Sequence, residues 1–235
     1  MVHALEVDGS YVIAGGEFTS IGGESIPGLA RIDTGSAAAD AGWFAGTPGP
    51  VHALALNSGS LYVGGEFTFA GPPDFNNLVV CDLSTGAIDS SWNPDADATV
   101  RALAVDSSAV YAGGEFTTIG GLSRQGFAAL DLGDGSALSW SAEADDTVFA
   151  IALDGATAYV GGAFTALGGQ SRYYFGAVDT GSGSIKALDP KPDDEVFAVF
   201  AEDGLVYVGG AFTALDDFGR YRYLAVIDGD TGNPY

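Results

Sequence analysis

The chain has 235 residues, 47% of them apolar, with 31 acidic against 8 basic side chains and a net charge of −23. A field of that sign repels nucleic acid and anionic lipid and excludes them as partners, and the apolar share excludes a disordered chain. No apolar run approaches the ~20 residues of a membrane-spanning helix, and a chain of this length buries enough surface to fold without disulfides or metal.

Along the chain one series of elements recurs five times. An apolar run opens each unit: VHALEV from Val2, VHALAL from Val51, VRALAV from Val100, VFAIAL from Val148 and VFAVFA from Val196. No leader is recognisable before the first of these, so the chain reads as a mature or excised piece of a longer protein. A turn follows (NSGS in the second unit), then a β-rich run carrying two glycines, the first of which is Gly15, Gly64, Gly113, Gly161 or Gly209. These glycines are spaced 49, 49, 48 and 48 residues apart. A loop, a third apolar run (NLVVCDL), a second turn (STG) and a fourth, more polar run (AIDSSWNP) complete the unit. Trp43, Trp92 and Trp140 sit in the fourth run, each eight residues before the next opening Val, and Leu188 takes that place in the fourth unit.

Four short strands at this period, with no helical periodicity, predict an all-β fold: a five-bladed β-propeller of four-stranded blades. The blades span approximately 2–50, 51–99, 100–147, 148–195 and 196–235 of one domain. The chain stops soon after the third run of the last unit, so the fifth blade is expected to be truncated; the alternative is an open fragment of a longer blade array. The Ala-rich first runs are expected innermost, where blades crowd, and the Trp runs at the rim. The paired glycines are expected to mark close packing between backbones.

The string VRALAVDSSAVYAGGEFTTIGG, followed by FAALDLGDGSALSW, resembles the delta-60-type β-propeller repeat of bacterial and archaeal surface proteins, and the resemblance covers nearly the whole chain. It implies an extracellular or cell-surface setting within a larger, multidomain protein. The second unit departs from it with FAGPPDFNN, and the last two units carry Ala163 and Ala211 where Glu17, Glu66 and Glu115 stand in the first three.

That acidic position belongs to the string GGEF, which comes close to a diguanylate cyclase signature. A cyclase has one such turn in an α/β domain, whereas here the string keeps the beat of a β repeat, so it is read as a packing motif. Cys81, the one cysteine, reads as a small buried residue. It has no suitable histidine partner, because His3 and His52 occupy the same repeat position.

Three sets of residues are candidate sites. The links between units place Asp95, Asp97, Asp145, Asp146, Asp193 and Asp194 close together in sequence, and closely spaced carboxylates suit Ca²⁺. The links lack the spacing of an EF-hand loop, and the first has no acid. Arg172, Tyr173 and Tyr174 in SRYYFGAV, with Arg220, Tyr221, Arg222 and Tyr223 in GRYRYLAV, gather three of the eight cations beside aromatic rings and form the candidate recognition patch. Glu6 and Glu202 are unrepeated acids on first runs, the pattern of a glycoside hydrolase carboxylate pair. Short loops and near-equal units favour a non-enzymatic recognition or scaffold domain that binds protein or glycan through repeated loops. It needs no cofactor beyond Ca²⁺ in the links, and the hydrolase is the alternative.

Overall fold

The computed structural model describes residues 1–235 apart from 45, 72, 216–218 and 220, and none of the described residues is helical. Each unit folds into a three-stranded antiparallel sheet. The first holds β1 (Val2–Asp8), β2 (Tyr11–Gly16) and β3 (Leu29–Asp33), and the second β4 (Val51–Asn57), β5 (Ser60–Phe69) and β6 (Phe75–Asp82). In the third, β7 (Val100–Val105) and β8 (Val110–Gly114) precede a small hairpin, β9 (Thr118–Ile119) with β10 (Leu122–Ser123), before β11 (Phe127–Leu130) completes the sheet. The fourth repeats this with β12 (Val148–Asp154), β13 (Thr157–Gly162), the hairpin β14 (Ala166–Leu167) with β15 (Gln170–Ser171), and β16 (Phe175–Asp179). The fifth holds β17 (Val196–Glu202), β18 (Leu205–Gly210) and β19 (Leu224–Asp228).

The expected fourth strand is reduced to one bridge in every unit: Ile32 with Ala39, Cys81 with Ile88, Leu130 with Ala137, Val178 with Ile185 and Ile227 with Pro234. The fifth unit makes this bridge too, and the sequence ends one residue after it, short of the position that Trp43, Trp92, Trp140 and Leu188 hold in the other four. An Asp at the end of the third strand explains the short pairing, because its carboxylate caps the following turn. Asp82 accepts from Thr85 N and from the Ser84 and Thr85 hydroxyls at 2.6–2.8 Å, and Asp33, Asp179 and Asp228 do the same in their units. Beyond the bridge the chain turns away to the next unit. Trp92 is fully buried; its ring lies 5.3 Å from that of Tyr62 and its Nε1 donates to Asp131 O at 2.9 Å, so it fastens the second unit to the third. Trp43 donates likewise to Leu83 O at 2.8 Å.

The core lies between sheets. Four apolar clusters fill the four spaces between consecutive units, and each joins the face of one sheet to the opposing face of the next. First strands neighbour first strands, β1 beside β4, β4 beside β7, β7 beside β12 and β12 beside β17, which places them at the inner edge as their alanines predict. The paired glycines set the spacing. A Cβ on Gly15, Gly64, Gly113 or Gly161 would lie 2.4–2.7 Å from Cγ1 of Val51, Val100, Val148 or Val196, so the opening Val of each unit seats in the hole left by its predecessor's glycine. Among the described residues the fifth sheet makes no comparable join with the first: the sheets do not close into a ring.

Candidate functional site

The inner edge carries a feature that the repeat pattern conceals. In all five units the register between first and second strand slips once, between Val2 and Ala4, Val51 and Ala53, Val100 and Ala102, Val148 and Ala150, and Val196 and Ala198. A β-bulge leaves one residue unpaired and re-aims its side chain. The bulged residues are His3, His52, Arg101, Phe149 and Phe197, and their side chains form a ladder across the array. The His3 and His52 rings lie 5.2 Å apart and those of Phe149 and Phe197 5.6 Å apart. Between the two pairs, Arg101 binds Glu115, with Nε 2.7 Å and Nη2 2.5 Å from Oε1.

The residue after each glycine pair runs beside this ladder. Its amide donates to the residue before the opening Val: Glu66 to Pro50 at 2.9 Å, Glu115 to Thr99 at 2.9 Å, Ala163 to Thr147 at 2.9 Å and Ala211 to Glu195 at 2.8 Å. The two positions change together. Units one to three pair His, His and Arg with Glu17, Glu66 and Glu115; units four and five pair Phe with Ala163 and Ala211. The stripe thus has a polar half and an aromatic half. Partial burial holds the His52 pKa below the usual imidazole value; the Arg101 and His3 charges push the same way, while Glu66 and Glu115 oppose them. That shift favours the neutral imidazole, which can donate at one nitrogen and accept at the other.

At the polar end an open recess of about 630 Å³ lies against Glu17, between Phe18, Pro27 and the link Thr47–Pro48–Gly49. The equivalent place in the third unit, beside Glu115, measures only about 100 Å³, and there Asp145, Asp146 and Thr147 of the link stand where Pro48, Gly49 and Pro50 do in the first.

The acidic links serve as tethers. Asp145 accepts from the amides of Thr165 and Ala166 at 2.7 and 2.8 Å and from the Thr165 hydroxyl at 2.7 Å. Asp97 binds Thr117 and Thr118, and Asp193 binds Thr213 and Ala214, in the same way. Desolvation raises these three pKa values, but the hydroxyl and amide donors outweigh it and the net shift is downward. Asp95 accepts from Asn76 at 2.6 Å, Asp146 from Thr147 N at 2.7 Å and Asp194 from Glu195 N at 2.8 Å. Among the described residues no three His, Cys, Asp or Glu side chains gather into a metal-binding group.

In the arginine–tyrosine patch, Arg172 is largely buried. It donates to Ser171 O at 2.8 Å and Lys186 O at 3.0 Å and lies 3.9 Å from Asp189, and Arg124 makes the matching bonds one unit earlier. Arg172 therefore clamps its own loop. Tyr173 and Arg222 are exposed, and Tyr174 and Tyr221 pack at the edge of the last core cluster. Tyr174 and Tyr223 take left-handed backbone at φ 62° and 68°, as Gly28, Asn77 and Gly126 do at the same place in the other units. Arg220 lies outside the described residues. Glu6 and Glu202 sit on β1 and β17, the first strands at the two ends of the array, which belong to different sheets. Cys81 is buried, its thiol pushed up to about 12 by desolvation and then by Asp82, and it is inert as a nucleophile.

No family model and no curated protein matches the chain. Solved structures do share its fold. The computationally designed Ika8 protein aligns over 99% of the chain with TM-score 0.66 and 17% identity, the RRP9 WD40 repeats over 99% with 0.68 and 11%, and a chain of the Mitotic Checkpoint Complex over 89% with 0.62 and 13%. The chain spans 60%, 62% and 58% of their lengths. At these identities the likeness is one of fold alone: an all-β, propeller-like repeat architecture. No helix among the described residues is long and apolar enough to cross a membrane.

Proposed function

We propose that the chain is an open arc of five propeller blades that binds an extended segment of a partner protein along its inner edge and carries out no chemistry of its own. The observation behind this reading is the bulge ladder. Five equivalent side chains are re-aimed to one edge, and they change from His, His and Arg with glutamates to Phe with alanines. Equal blades need no such change for folding, whereas a bound segment of fixed direction does: a cation toward Glu17 and Glu66, and apolar side chains over Phe149 and Phe197. The similar chain in the Mitotic Checkpoint Complex is part of a complex, which supports a protein as the partner here. The resemblance to surface-protein repeats supports an extracellular setting. Near-equal units with short loops, and a buried thiol, support a non-enzymatic role.

A displayed library of random linear peptides, selected on the wild-type chain, tests this. Selected peptides are expected to carry a basic residue at one end and an aromatic or aliphatic residue at the other. Their affinity should fall at least tenfold with Phe197→Ser or Glu66→Gln. Peptides that bind both variants as tightly as the wild type would overturn the proposal.

A further inference from the structure

The two ends of the array present halves of a join that is complete four times within it. On the leading side of each unit stand the opening Val, the residue three further on and the residue two beyond that. Val51, Val100, Val148 and Val196 are fully buried there by the preceding unit, yet in the first unit Val2, Leu5 and Val7 are 45%, 62% and 67% exposed. On the trailing side, Leu29, Leu78, Phe127 and Phe175 are fully buried by the next unit, and their counterpart Leu224 is 63% exposed. Tyr62, Tyr111 and Tyr159 are buried, and Tyr207 is 38% exposed. The glycine hole is also present without its occupant: a Cβ on Gly209 would meet nothing closer than 3.7 Å, where its four counterparts meet a valine methyl.

We infer that copies of this chain join head to tail, the Val2–Leu5–Val7 face of one seating on the Gly209–Leu224 face of another and continuing the join between consecutive units. The occupant is a second copy because each face already has its complement on the same molecule, and because the four internal joins show these residue types packing on one another. The interface is heterologous, so each joined pair keeps one open leading face and one open trailing face, and growth passes beyond dimers unless a ring closes. One residue departs from the internal pattern. Phe200 is exposed where Ala55, Ala104 and Ala152 stand, and its ring rests 5.9 Å from that of Tyr207. It leaves the Gly209 hole open but adds bulk to the face, which makes this join weaker than an internal one. Two copies of charge −23 also repel each other, so salt strengthens the contact by screening.

The test is sedimentation velocity on the whole chain over a range of concentrations at low and high salt, with Leu5→Asp and Leu224→Asp. Both side chains are exposed, so both variants should melt as the wild type does. Wild-type mass is expected to rise with concentration, more so at high salt, and to pass two copies. Each variant alone should remain monomeric. An equimolar mixture should form a one-to-one dimer and stop, because Leu5→Asp retains the trailing face and Leu224→Asp the leading one. A wild type that stays monomeric at every concentration and salt would overturn the inference. So would either variant associating alone, or a mixture that fails to dimerise.

Discussion

Replacing Gly113 by Ala inserts one methyl between the third and fourth units. Its Cβ would lie 2.4 Å from Val148 Cγ1, 3.0 Å from Val148 Cβ and 3.2 Å from Ile151 Cδ1. Val148 is fully buried and, being β-branched, is restricted at χ1, so its side chain has little room to withdraw. The clash must be relieved by moving backbone, and overpacking of this kind costs about 1–3 kcal/mol. Gly209→Ala supplies the control. It makes the same chemical change at the equivalent strand position, with nothing within 3.7 Å, and neither glycine has positive φ. The gain from removing glycine from a strand, roughly 0.5–1 kcal/mol, is common to both and cancels in the comparison. Gly113→Ala should therefore fall about 1–3 kcal/mol below Gly209→Ala, a difference of about 2–4 °C in Tm per kcal/mol at this chain length. Thermal and urea melts at low protein concentration measure it. Equal stability of the two variants would refute the valine-in-glycine account of how the units are spaced.

Trp92→Ala should lose about 3–5 kcal/mol, because Trp92 is fully buried and its indole N–H is satisfied across the join; Trp140→Ala, at a half-buried ring, should lose less in the same melts. The Ser84 and Thr85 hydroxyls and the Thr85 amide hold the Asp82 pKa at about 2, below its unfolded value. The unfolded chain then takes up this proton first, so that contribution to stability is complete above about pH 4 and is lost as pH falls toward 2. Tm should drop across that window, and Asp82→Asn should flatten the drop; a Tm that rises through it contradicts the assignment. NMR titration should place His52 below the usual imidazole range, lower still in Glu66→Gln and higher in Arg101→Met; a value at or above that range would remove the half-buried ring from the stripe.

Much of the fold was legible because the opening Val, the glycine pair and the Trp keep one beat. The first strands lie innermost as their alanines required, and the glycines mark the close approach expected of them. The fourth run, AIDSSWNP, has strand-like composition but pairs only through one bridge, because Asp82 and Trp92 impose a turn and an anchor that composition does not display. The arginine–tyrosine patch drew attention as scarce cations beside rings. Arg172 spends its donors on loop carbonyls, a commitment visible only once the loop is folded. The bulge ladder was missed because a bulge is a matter of register. Its one sequence trace is the residue after each opening Val, where His, His, Arg, Phe and Phe vary between residues that hardly change. That variation parallels Glu, Glu, Glu, Ala and Ala at the acidic position, and the pairing gained meaning only when the strands brought the two positions side by side.

The most direct test of the account is an amide and aromatic chemical-shift map of the chain titrated with a peptide from the displayed library. The bulge ladder predicts shifts that run in order along the inner edge, at His3, His52, Arg101, Phe149 and Phe197, with Glu17 and Glu66 at the end that receives the peptide's cation. Shifts confined to Tyr173, Arg222 and Tyr223, with the ladder unmoved, would contradict it.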